Sequence, residues 1–171
     1  ARAVLETPGA LVVGSEVPNL IEPGAAATLV VSQDLDVGVP VEDHARIKQQ
    51  LPDLLRCFTP SPDEPSVWIP KTADLLEVNF VGMDRTQDPG DAYVLEDDRL
   101  PLLVFGALSL VAPGAELDID GTRVRVPRPA GLLLEKLVTD RTGDKGERDL
   151  LVALGLIVTA GPTDFDEFEQ A

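Results

Sequence analysis

The chain has 171 residues, enough for one ordinary domain with at most a small helical appendage. Hydrophobic residues make up 44% and aromatics only 4%, so a sizeable core is expected, built mainly from Leu, Val and Ala. The 14 Lys and Arg against 30 Asp and Glu leave a formal charge of -16, which argues against a surface that wraps nucleic acid and favours cations or a basic protein partner.

The lone Cys57 excludes an internal disulfide framework and fits a reducing compartment. It lacks a base to activate it, since the only histidine, His44, precedes it on a predicted exposed helix face; a core or surface cysteine is the better reading. No apolar run is long enough for a membrane span, and no basic-then-apolar signal segment opens the chain, so a cytoplasmic location is expected by default. The chain starts at Ala1 without a methionine, which leaves room for residues upstream.

In chain order, residues 10–13 (Ala-Leu-Val-Val) form a strand candidate ended by Gly14-Ser15. Pro18, Pro23 and Gly24 then rule out a continuous helix over 15–27, leaving a short helix or a structured loop. A strand over 29–37 carries Asp34 and Asp36 and stops at Pro40. Helical spacing follows over 41–55, with Glu42 and Asp43 in the first turn and Pro52 expected to kink or shorten it. The proline-rich stretch 59–65 is expected as loop, 66–70 as a short strand carrying Trp68, and 73–82 as a strand with Glu77 and Asn79 on one face.

Residues 83–99 read as a polar surface excursion, and 100–111 as either a strand or a short buried helix. A hairpin is expected over 117–126, turning at Asp120-Gly121. Helices over 130–141 and 145–156 are joined by Thr142-Gly143-Asp144 and should pack antiparallel, followed by a frayed acidic end after 160.

Asp34 and Asp36 draw the most attention. Side chains on a strand alternate faces, so both carboxylates project from one side, about 6 to 7 Å apart. Their repulsion is relieved by a divalent cation, and Mg²⁺ is commonly held by one or two carboxylates together with substrate phosphates. The bland alternative is a strand end whose acids face solvent, or an Asx turn. Glu77 is likewise an acid inside an apolar strand, which calls for a partner unless that face is wet.

Taken together, Val13-Gly14-Ser15, Val31-Ser32-Gln33-Asp34-Leu35-Asp36 and Leu76-Glu77-Val78 resemble the nucleotidyltransferase superfamily of DNA polymerase β. The resemblance is strongest to stand-alone bacterial and archaeal members near the AbiEii-type toxin branch. Residues 125–137, a strand, prolines and a Lys-bearing helix, and the charged stretch Gly146-Glu147-Arg148-Asp149-Leu150 are similar to later parts of that family, so the likeness spans about 10–160. It implies an α+β fold in three parts. A mixed β-sheet nucleotidyltransferase core with flanking helices would occupy 1–129, a C-terminal helical pair 130–160, and an acidic tail 161–171.

The resemblance further implies transfer of a nucleoside monophosphate from a nucleoside triphosphate to a hydroxyl acceptor, with Mg²⁺ or Mn²⁺. Asp34, Asp36 and Glu77 would be the catalytic metal ligands, with Glu77 standing where family members usually have aspartate. Gly14, Ser15 and Ser32 would hold the nucleotide. Lys136 reads either as a phosphate contact or as an exposed helix lysine. A tRNA end, a protein hydroxyl and a small molecule all remain open as acceptor. Two rivals stand beside this: a degenerate member acting as an acidic binding module, and a phosphatase loop at Asp118-Ile119-Asp120-Gly121-Thr122. The second is the weaker, because a hairpin explains those residues and too little chain follows for a doubly wound sheet.

Overall fold

The computed structural model describes residues 2–25, 32, 34–139 and 144–168. A one-turn helix α1 (Arg2–Leu5) leads into β1 (Leu11–Val13), a short helix α2 (Val17–Ile21) and β2 (Asp34–Pro40). A 3₁₀ turn (Val41–Asp43) enters α3 (His44–Leu54), and β3 (Phe58–Pro60), β4 (Val67–Pro70) and β5 (Glu77–Met83) follow. Then come β6 (Ala92–Leu95), β7 (Leu102–Phe105), a 3₁₀ turn (Gly106–Leu110) and the hairpin β8 (Pro113–Ile119) and β9 (Thr122–Pro127). Helices α4 (Pro129–Val138), α5 (Asp144–Thr159) and α6 (Pro162–Phe168) complete the described chain.

The fold is α+β, with a mixed seven-stranded sheet in the order β1-β2-β5-β4-β3. β2 and β5 run parallel, while β1 against β2 and β4 against β5 are antiparallel. The far edge of β5 is shared, with β4 pairing at Val78 and Asn79 and β7 pairing at Gly82; β6 adds to β7. Apolar alternation explains the layering. Val37, Val39, Val78 and Phe80 join Ile47, Leu51 and Leu54 of α3 in one buried cluster. On the other face, Val13, Met83, Val124 and Val126 pack with Leu132 and Leu133 of α4 and with Val152 and Leu156 of α5.

Several sequence expectations change here. α3 is not shortened at Pro52 but runs through it to Leu54. Proline at that position leaves the Lys48 carbonyl without its helical donor, and the Arg99 guanidinium takes the vacancy at 3.4 Å. His44 is not an exposed bystander: it is partly buried and donates from Nε2 to the Leu100 carbonyl at 2.8 Å. The proline-rich stretch begins as strand β3, whose backbone pairs with β4. The polar excursion contains β6 and a buried Asp84, which accepts from the Thr86 and Tyr93 hydroxyls. Residues 100–111 resolve both ways, into β7 and then a 3₁₀ turn.

The hairpin is borne out. Asp120 and Gly121 both have positive φ, as a two-residue I′ turn requires, and Asp118 accepts from the Gly121 amide at 2.9 Å. That exposed tip explains the aspartates without a phosphatase loop. Residues 162–168 form α6 instead of fraying: Asp164 is buried, accepts from the Gly161 amide at 2.8 Å and lies 4.0 Å from Arg128. Residues 29–31 and 33 of the expected strand, and 140–143 around the connection between α4 and α5, lie outside the described residues. Among the described residues no helix is long and apolar enough to cross a membrane.

Candidate functional site

β2 is apolar on the face turned to α3 and acidic at alternate positions on the other, so Asp34 and Asp36 point away from the α3 core. The parallel register places Glu77 beside Asp34 and Asn79 beside Asp36. β1 places Val13 against Asp36, and the chain leaves the sheet at Gly14 directly alongside that carboxylate. Gly14 has φ +88°, and a Cβ built on it would collide with Asp36 Oδ2. Only glycine both turns here and leaves room for the acid.

These residues meet in one cavity of about 430 Å³. Gly14, Ser15, Asp34, Asp36 and Asn79 line it from the sheet, with Val13, Val81, Phe105 and Leu108 as apolar wall. Glu135, Lys136 and Thr139 of the α4 end and Arg148 and Asp149 of α5 close it from the packed helices. Five of the seven residues singled out in the sequence are therefore neighbours. The two exceptions are Glu77 and Ser32, neither of which belongs to the lining.

Glu77 sits half-buried at the start of β5, on the face of Asn79 but at the register step of Asp34. The polar group that β5 gives the cavity is Asn79, whose amide donates to Asp36 Oδ1 at 3.0 Å. Ser32 is buried, and its hydroxyl donates to Asp34 Oδ1 at 2.5 Å. Its amide donates to Glu16 Oε1 at 2.9 Å, so the residue after the Gly14-Ser15 bend is tied to the aspartate strand. Each aspartate thus has one oxygen held by a neighbouring donor, which fixes its rotamer. Ser32 holds a carboxylate here rather than facing the cavity.

Lys136 is no exposed helix lysine. Its side chain is 5% exposed, with Nζ 3.0 Å from Glu135 and 3.5 Å from Asp149. This cluster joins α4 to α5 on the cavity wall, and the Thr139 hydroxyl donates to Glu135 at 3.3 Å. Glu16 and Glu135 carried no signal of this role in the sequence, and Asn79 showed only as the polar neighbour of Glu77 on one strand face. Arg148 and Asp149 did, through the charged stretch around them.

The donor set suits a hard divalent cation: two carboxylates share a face, and Gly14 leaves space beside one of them. Among the described residues no three His, Cys, Asp or Glu side chains are gathered into a metal-binding group. A cation on Asp34 and Asp36 would complete its shell with phosphate and water oxygens, the usual habit of Mg²⁺. No protein-family model matches this sequence, and no curated protein is similar to it at a significant level.

Proposed function

We propose that this chain is a metal-dependent nucleotidyltransferase, moving a nucleoside monophosphate from a nucleoside triphosphate to a hydroxyl acceptor. The observation that carries the proposal is the meeting of the Gly14-Ser15 bend, the Asp34 and Asp36 carboxylates, and Lys136 and Arg148 in one cavity. A magnesium or manganese ion held there would neutralise charge on the triphosphate and lower the pKa of the attacking hydroxyl.

The chain's own residues do the positioning. Asp34 and Asp36 would hold the cation, with Ser32 and Asn79 fixing their carboxylates. The Gly14 backbone and the Ser15 hydroxyl line the cavity and would offer donors to phosphate oxygens, and Arg148 would offer a cation that shields them. The acceptor hydroxyl attacks the α-phosphorus and gives its proton to solvent water, the bond from that phosphorus to the bridging oxygen breaks, and pyrophosphate leaves. Glu77, expected as the third carboxylate, stands at the register position beside Asp34 but outside the cavity lining, and no step is assigned to it.

Incubation with each α-labelled nucleoside triphosphate and Mg²⁺ in cell extract tests this directly. Label should pass to an acceptor, resolved as nucleic acid, protein or small molecule. Asp34→Ala and Asp36→Ala should each lower that transfer by about three orders of magnitude or more while circular dichroism stays unchanged. Undiminished transfer by Asp34→Ala ends the assignment.

One observation favours a second reading. An amide, Asn79, occupies the third polar position of the cavity floor where a carboxylate would bind metal, and the chain's net charge is -16. A degenerate member of the same fold, serving as an acidic module for a basic partner, would have that composition. It would bind its partner without magnesium and show no metal-dependent affinity for nucleotide.

A further inference from the structure

We propose that Glu16 is a positioning residue for the cation of the site described above, acting on Asp34 through Ser32 without touching the metal itself. The inference rests on the reading of Asp34 and Asp36 as cation ligands. Glu16 directly follows the Gly14-Ser15 bend and stands at the N-cap of α2, where its side chain makes no capping bond. Its carboxylate is engaged elsewhere: Oε1 accepts from the Ser32 amide at 2.9 Å, 16 residues along the chain. The Ser32 hydroxyl in turn donates to Asp34 Oδ1 at 2.5 Å. Neither Glu16 nor Ser32 belongs to the cavity lining, so both act from behind the carboxylate.

The pairing of β2 with β5 begins at Asp34, so Ser32 stands ahead of the ladder. Glu16 is the anchor that the described residues give its backbone. The serine side chain has a single rotatable bond before its oxygen, so where the hydroxyl points follows from where that backbone is held. Ser32 is buried, and water competes weakly for either bond. Fixing one oxygen of Asp34 sets the direction of the other. A carboxylate released from such a hold must be ordered when the cation binds, and loss of an outer partner of this kind lowers metal affinity by about 10- to 100-fold. Because Glu16 is contiguous with the Gly14-Ser15 bend, the same bond also sets the spacing between that bend and the aspartate strand.

Mn²⁺ titration of the whole chain without nucleotide, followed by electron paramagnetic resonance, tests it. Glu16→Ala should raise the Mn²⁺ Kd at least about tenfold. Glu16→Gln, whose side-chain carbonyl still accepts from the Ser32 amide, should keep it near that of the unaltered chain. Glu16→Met, which retains the length without an oxygen acceptor, repeats the loss if Glu16→Ala fails to fold. Ser32→Ala should weaken binding by a similar factor, and the double variant Glu16→Ala, Ser32→Ala should lose no more than the larger single loss, as one chain of bonds requires. An unaltered chain that takes up no Mn²⁺ contradicts the cation reading and this proposal with it. Mn²⁺ uptake by the unaltered chain overturns the role of Glu16 alone if the Ala and Met variants match it, if Glu16→Gln loses as much as they do, or if the losses of the double variant add.

Discussion

At Gly14 two constraints coincide: a left-handed backbone and a carboxylate where a side chain would begin. Gly14→Ala should cost about 1–2 kcal/mol from the backbone alone. It should also push Asp36 off its Asn79 hydrogen bond. Thermal unfolding should therefore fall by a few degrees, and metal-dependent nucleotide binding should fall by far more than that loss of stability explains. Lys136 poses the converse case, a cation sunk between two carboxylates. Lys136→Ala leaves those acids facing each other in a poorly hydrated wall, and denaturant unfolding should show a loss of about 3–5 kcal/mol. The two aspartates were legible in the sequence because strand alternation is a local rule. The burial of Lys136 was not, since it depends on where α5 brings Asp149, and no spacing along α4 encodes that.

At the scale of elements, α3 and the loop that precedes β7 form a unit that was only half readable. The helical spacing was plain, yet Pro52 suggested a kink or an early end. The strap that makes the proline tolerable comes from Arg99, far along the chain. The same loop is pinned by Asp97, which accepts from Lys48 Nζ at 2.5 Å and from the amides of Arg99 and Leu100. Chiefly through the Lys48 contact, its carboxyl is lowered from the ordinary 3.8 to about 2. A carboxyl more acidic in the folded chain stabilises fully above its unfolded value, and that contribution drains away as pH falls from about 4 to about 2. The difference corresponds to about 2 kcal/mol. Asp97→Asn should remove about that much at neutral pH and flatten the acid limb of the melting-temperature profile between those values.

For the whole molecule, the mixed sheet runs β2 parallel to β5 and antiparallel to β1, so that Gly14, Asp36 and Asn79 become neighbours. Strands and helices were mostly evident from periodicity, and the hairpin from a single dipeptide. Strand order and the pairing of Glu77 with Asp34 rather than Asp36 are long-range properties that no local pattern states. On the proposed function, the cavity takes nucleotide through a cation on Asp34 and Asp36. Titration calorimetry with a non-hydrolysable nucleoside triphosphate, with and without Mg²⁺, tests it most directly. Binding should require the metal and vanish in Asp34→Ala and Asp36→Ala; metal-independent binding, or affinity that survives both substitutions, would contradict it.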